Sequence, residues 1–367
     1  MVSPTPTRRA ALAALAAAPF AAAPFAAAPF AAAPFAAAPA PATSPVAGLS
    51  PPRKRDARFH RGASLGLFAR EGDAAYRRSI YAAFLDEMAL AGVTHVQLVT
   101  RWAQADVRAT TIAPDGEDDD DTLRWAIGAA AARGMRTFLM PILHVRHRPP
   151  GEWRGTLAPA DPAAWWSAYG RFILHYARLA AATGVALYAV GSELVSTEQQ
   201  TDRWRALIAT VRAVYPGQLT YSANWDHFEP VSFWDALDVA GLNAYHELSA
   251  RPNPTEAELV AGWRPFVQRV RHWALMTGKP YLFTEIGYPA TAHAAARPWD
   301  HALRGAPDPE LQLRCYRALY ETWQQDPRLV GLYLWNWFGH GGPDDPGYTP
   351  RGKPAMHVID HWYRGAR

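Results

Sequence analysis

The sequence predicts a single closed (β/α)8 barrel, an α/β fold, over residues 59–367, behind a low-complexity leader over residues 1–58. Three observations point there. Short β-type runs recur eight times along the body, each followed by a helical or connecting segment, as in parallel strands laid side by side. A body of about 300 residues suits one barrel. The competing open, doubly wound sheet would carry a glycine-rich phosphate turn after its first strand. Gly62-Ala-Ser-Leu-Gly66 does not continue as that motif.

The leader comes first. Residues 1–58 hold six Lys/Arg against one acid, Asp56, and the rest of the chain holds 31 Lys/Arg against 32 Asp/Glu. The sequence pI of 9.2 therefore belongs to the leader, and it does not mark a nucleic-acid surface on the body. Thr7-Arg8-Arg9 precedes an alanine/leucine stretch, and Ala-x-Ala sites such as Ala38-Pro39-Ala40 follow. This reads as an export signal of twin-arginine type, with Ala11 where such signals carry an aromatic, and it implies a secreted or periplasmic protein. A plain disordered leader is the alternative. Ala-Ala-Ala-Pro-Phe then repeats four times from Ala16 to Phe35. A proline every fifth residue, at about 3 kcal/mol each inside a helix, forbids a continuous membrane span.

In the body, the expected strands are Gly62–Phe68, Val93–Thr100, Met135–Leu143, Val185–Gly191, Gln218–Ala223, Leu237–Asn243, Pro280–Thr284 and Leu329–Trp335. Between them the apolar period changes from two to 3.6. Across Ala257–Ala274, Leu259, Trp263, Phe266, Val267 and Val270 fall on one helical face, with Pro265 expected to kink the helix or restart it. Across Pro309–Gln325, Leu313, Tyr316, Tyr320 and Trp323 do the same. Cys315, the only cysteine, lies in that second helix, which excludes an intramolecular disulfide and gives it a packing role.

A barrel works at the C-terminal ends of its strands. Arg101 and Trp102 follow the second strand, His144 and Trp153 the third, Ser192 and Glu193 the fourth, Asn224 and Trp225 the fifth. Asn243 and Tyr245 follow the sixth, Glu285 and Tyr288 the seventh, and Trp335, Asn336 and Trp337 the eighth. A carboxylate at the tip of a buried strand is costly unless paired or used in chemistry. Strands four and seven face each other across the barrel, so Glu193 and Glu285 can meet as the two carboxyls of glycoside hydrolysis, which in the retaining mechanism stand about 5–5.5 Å apart. Their mutual repulsion should raise one pKa; Glu193 is expected to hold the proton and Glu285 to stay ionised. Structural salt bridging is the alternative for either one.

The five strand-end tryptophans could stack on sugar rings, about 80 Å² of cover contributing ~2 kcal/mol. Trp335 is the first choice, and Trp125, Trp204, Trp263, Trp273 and Trp323 are expected in the core. His144 and His147 lack ligand-like spacing on a strand end, so no metal is expected. Glu117 and Asp118–Asp121 precede Thr122-Leu-Arg-Trp and read as a helix cap.

Gly191-Ser-Glu193-Leu, Leu219-Thr-Tyr-Ser-Ala-Asn-Trp-Asp226, Gly241-Leu-Asn-Ala-Tyr245, Thr284-Glu-Ile-Gly-Tyr-Pro289 and Leu332-Tyr-Leu-Trp-Asn-Trp337 occur in this order. Together they resemble glycoside hydrolase family 113, in the clan of retaining (β/α)8 glycosidases, from about Phe59 to Trp362. The resemblance implies a cofactor-free endo-β-1,4-mannanase working by double displacement on β-mannan, and a monomer is expected; the alternatives are a retaining hydrolase of another β-glucan or exopolysaccharide, or a non-catalytic carbohydrate-binding barrel. Glu193 would be its acid/base and Glu285 its nucleophile. Tyr245 would hold the nucleophile ionised, Trp335 would floor the subsite of the sugar being cleaved, and Asn224 and Trp225 would line the cleft. One departure is Ser192, where many clan relatives carry the asparagine that binds the sugar 2-hydroxyl.

Overall fold

The computed structural model describes residues 44–56, 58–68, 72–115 and 119–365. The expected export signal and the Ala-Ala-Ala-Pro-Phe repeats lie outside the described residues, as do Glu117 and Asp118.

Eight parallel strands close on themselves: β1 (His60–Gly66), β2 (His95–Gln104), β4 (Arg136–Val145), β5 (Leu187–Ser192), β6 (Gln218–Asn224), β7 (Ala240–Asn243), β8 (Tyr281–Ile286) and β9 (Leu329–Leu334). Each pairs with its neighbours, and β1 pairs with both β2 and β9, which shuts the cylinder. The two-residue β3 (Ala113–Pro114) adds to the end of β2 in antiparallel sense. The helices are α1 (Ala74–Leu90), α2 (Asp120–Ala131), α3 (Pro162–Thr183), α4 (Thr201–Arg212), α5 (Glu256–Thr277), α6 (Pro309–Trp323) and α7 (Ala355–Gly365). Between β6 and β7 only a short 3-10 turn, Trp234–Ala236, stands in for a helix.

Local chemistry sets the helix ends. Asp161 accepts from the amides of Ala163 and Ala164, Pro162 starts α3 where no donor is needed, and Gly184 ends it at φ 71°. Thr255 and Glu258 form a reciprocal capping box at α5. Asp119 caps α2, with Asp120 and Asp121 in the first turn, as the acidic run suggested. Pro265, expected to interrupt α5, lies inside one helix that continues to Thr277. The apolar face of α5 (Leu259, Trp263, Val270 and Trp273, all buried) holds the turns on both sides of it.

Two cores result from strand alternation. Val99, Phe138, Met140, Leu187, Ala189, Leu282 and Tyr333 fill the barrel. Val96, Leu98, Leu139, Tyr188 and Val190 face outward to the helices. That parity corrects one expected cleft residue. On β2 the odd positions turn inward, Gln97 reaching the Thr284 carbonyl at 3.0 Å. Trp102, at an even position, points outward and stacks on Phe172 of α3, with centroids 5.4 Å apart. Trp204, Trp263, Trp273 and Trp323 are core, as expected, and Trp125 is partly buried against it. Cys315 is fully buried in α6.

The packed body begins before the expected boundary at residues 58/59. The Arg55 guanidinium donates to the carbonyls of Trp323, Gln324, Asp326 and Leu329, satisfying groups left open at the end of α6. Tyr320 donates to the Ser50 carbonyl, and Glu321 accepts from the Ser50 amide and hydroxyl.

At the working end, β8 and β9 approach so closely that only glycine fits at position 287. A Cβ there would stand 2.0 Å from the Trp335 carbonyl oxygen. Gly287→Ala is therefore expected to lower unfolding free energy by about 1–3 kcal/mol and to displace Trp335. A denaturant midpoint equal to wild type would show that the two strands separate freely.

Candidate active site

Glu193 follows the last residue of β5 in the left-handed backbone region, φ 56°, which is uncommon for a residue with a side chain. Such a conformation costs on the order of 1–3 kcal/mol and persists only where its surroundings over-determine it. Here they do. The Glu193 amide donates to the Ser222 carbonyl at 2.8 Å, and the Leu194 amide donates to the Tyr221 hydroxyl at 2.8 Å. Tyr221 in turn donates to the buried Glu198 at 2.7 Å, whose other oxygen meets His227 Nδ1 at 2.7 Å. Burial pushes the Glu198 carboxyl up, while Tyr221 and His227 pull it down.

The side chain of Glu193 is held at both oxygens. Asn243 Nδ2 donates to Oε1 at 2.7 Å, and Arg154 Nη2 donates to Oε2 at 2.6 Å. Asn243 cannot flip, because its Oδ1 accepts from Ser222 Oγ at 2.7 Å and from Thr284 Oγ1 at 2.9 Å. Arg154 and Glu193 are both largely buried, with side chains 15% and 11% exposed.

Glu285 arrives at the same place from β8. A register shift in the β7–β8 ladder sets it opposite Asn243, and the Ala244 amide donates to its carbonyl at 2.7 Å. Tyr245 Oη donates to Glu285 Oε2 at 3.0 Å. Oε1 is buried with no hydrogen-bond partner among the described residues. Burial pushes the Glu285 carboxyl well above the usual carboxylate range, and the nearby charge of Glu193 pushes it further, against the opposing pull of Arg154 and Tyr245. The proton was expected on Glu193. Glu193 bonds the Arg154 guanidinium directly, while burial and the charge of Glu193 favour the protonated form of Glu285.

The other expected residues divide. Asn243 and Tyr245 touch the two carboxyls, as above. Ser192 is buried beside Glu193, its Oγ without a partner among the described residues. Asn224 ends β6 half-buried and accepts from the Trp225 amide. Trp225 stacks on Trp299 with centroids 5.2 Å apart and meets His246 edge-on. Trp335 lies half-buried above the barrel core, joined to Asn336 by a cis peptide, with Phe338 edge-on at 5.9 Å. Trp153 is half-buried in the loop after β4, over Gly155. Trp102 is not at the site; its ring lies in the helix layer. Trp337, considered for its position alone, is buried and donates to Glu87 of α1.

Arg101 and His144 converge with Arg146 on Asp115: His144 Nδ1 stands at 2.9 Å, Arg146 Nη2 at 2.9 Å and Arg101 Nε at 3.3 Å. His144 is thus paired with a carboxylate, and no group of three or more metal-ligating side chains occurs among the described residues. Nor is any described helix long and apolar enough to cross a membrane. Three functional groups escaped the sequence reading: Arg154, Tyr221 and Glu198. Arg154 opens a single 3-10 turn, Arg154–Thr156, in the connection after β4, where periodicity says nothing. The only signal was its place beyond the third barrel strand, next to Trp153.

Known proteins give the same picture. The family model for Glycoside Hydrolase Family 113 matches residues 64–345. The solved structure of the family 113 β-mannanase from Alicyclobacillus acidocaldarius, in complex with ManMIm, is similar at 28% identity and a TM-score of 0.75. That likeness covers 84% of this chain and 98% of the other. A second family 113 β-1,4-mannanase is similar at 26% identity and a TM-score of 0.74, over 83% of this chain and 99% of the other. A family 5 mannosidase from Rhizomucor miehei shares the fold, at 12% identity and a TM-score of 0.55, over 84% and 92%. No curated protein matches the chain. With a matched family model across most of the barrel and both strand-end glutamates, the chain belongs to glycoside hydrolase family 113 and is a glycoside hydrolase.

Proposed function

We propose that this glycoside hydrolase is a retaining endo-β-1,4-mannanase, with Glu193 as acid/base and Glu285 as nucleophile. The observation that carries the reading is a pair of buried carboxyls at the ends of β5 and β8, near enough that the charge of Glu193 raises the Glu285 pKa, with Asn243 bonded to the first and Tyr245 to the second. The similarity to solved β-mannanases supports the substrate. The paired arginines of the leader support export.

In the first step Glu285 attacks the anomeric carbon while the Glu193 proton passes to the departing oxygen, and a glycosyl ester forms. In the second, Glu193 takes a proton from water as the oxygen of that water attacks the same carbon, releasing Glu285. Two inversions return the original β configuration. Tyr245 steadies the negative charge of Glu285 before attack and again on its release, and Trp335 offers an indole face to the sugar undergoing reaction.

Glu285→Gln is expected to abolish turnover of all substrates. Glu193→Gln should slow mannan hydrolysis about 10²–10⁴-fold but spare the first step on an aryl mannoside whose leaving group needs no proton. Burst kinetics on that substrate separate the roles, and equal losses in both variants would contradict them. Proton NMR of the nascent reducing end should show the β anomer first; an α anomer would mean inversion.

The pH profile supplies an independent check. The Tyr245 hydrogen bond lowers the Glu285 pKa, so Tyr245→Phe raises it. Attack needs the ionised form, and the acidic limb of kcat/KM should therefore move to higher pH. A limb that stays in place while kcat falls would leave Tyr245 a role in sugar binding alone.

A further inference from the structure

Arg154 poses a chemical problem for the acid/base role. A general acid must carry a proton, yet Glu193 is ion-paired to a guanidinium that favours its negative form. Something must draw Arg154 away before the departing oxygen can be protonated. Neutral hydroxyls compete poorly with a carboxylate for a guanidinium, because charge-assisted hydrogen bonds are roughly twice as strong as neutral ones.

The surroundings of Arg154 say what could. Its Nε is buried with no hydrogen-bond partner among the described residues, so the fork has a donor to spare beside the one on Glu193. The segment 146–154 carries Arg146, His147, Arg148 and Arg154 against a single acid, Glu152. Arg148 is half-buried, and burial first, then the charge of Arg154 nearby, lowers its pKa. Arg146 is already committed to Asp115. An acid/base residue stands beside the leaving group by the nature of its task, so a guanidinium bonded to it reaches the leaving-group sugar.

Resting on the retaining β-1,4-mannanase reading above, we infer that Arg154, with Arg148 beside it, forms a subsite for a carboxylate-bearing sugar on the leaving-group side, and that the substrate is an acidic-substituted β-glycan. The sugar carboxylate takes the Arg154 fork bidentately and frees Glu193. Once free of the guanidinium, Glu193 can hold the single proton that the two carboxyls share, leaving Glu285 ionised for attack; no proton is gained or lost. Arg154 is here a specificity-determining and positioning residue.

The test compares kcat/KM at low ionic strength for β-1,4-manno-oligosaccharides and for the same chains with C6 oxidised to carboxylate, on wild type, Arg154→Gln and Arg148→Gln. Wild type should favour the oxidised chains about tenfold or more, with the preference shrinking as salt is added. The ratio should fall to near one in Arg154→Gln and partway in Arg148→Gln, which serves alone if the first variant does not fold. A wild-type ratio at or below one, or a ratio kept in both variants, overturns the subsite and leaves the mannanase reading standing. Cleavage of neither chain overturns both.

Discussion

The amide of Asn243 is the point on which the site turns. Buried at the end of β7, it donates to Glu193 and accepts from Ser222 and Thr284. Those partners belong to β6 and β8, so one side chain ties three adjacent strand ends to the acid on β5. Reversing the amide would place its oxygen against Glu193 and its NH₂ against two hydroxyls. The hydroxyls can rotate to accept; the carboxylate cannot donate. That asymmetry fixes the orientation, and with it the position of Glu193.

Around that amide the barrel spends conformational freedom where chemistry needs precision. Glu193 is held in a left-handed backbone by amide bonds from its own peptide and the next. Tyr221 passes the constraint outward to Glu198 and His227. Meanwhile the β7–β8 register shift brings Glu285 level with Asn243. Neither irregularity is required by a cylinder of parallel strands. Both sit at the working end, one at each carboxylate, in keeping with strain being stored where geometry must be exact to function.

Much of this was legible in the sequence. Short apolar β-type runs located all eight barrel strands within a few residues, since a parallel strand buried on both faces needs nearly continuous apolar residues. The two glutamates stood out for the opposite reason, as charges where burial forbids them. The failures have physical causes as well. Trp102 was misplaced because strand-end position does not reveal parity, and a shift of one residue exchanges inside for outside. Of the two outcomes expected at Pro265, a restart did not occur, because tertiary packing holds α5 together on both sides of it. Arg55 was assigned to the leader because a guanidinium that caps a helix some 270 residues away leaves no local trace. Arg154 was missed for a similar reason: its meaning lies in a partner 39 residues on, at the end of the neighbouring strand.

The charge pattern of the empty site also bears on why two carboxyls can share so dry a place. Isolated, each would be pushed toward neutrality by burial. Arg154 changes that by lying against one of them, so the pair plus the guanidinium can hold a single proton with no net charge left uncompensated. The balance between the two glutamates is then decided by small differences in what each oxygen touches. Glu193 has both oxygens engaged by donors, whereas Glu285 keeps Oε1 without a protein partner. A carboxylate oxygen free of donors is the more nucleophilic once ionised, so the asymmetry of hydrogen bonding supports the proposed attack by Glu285 on grounds separate from strand position.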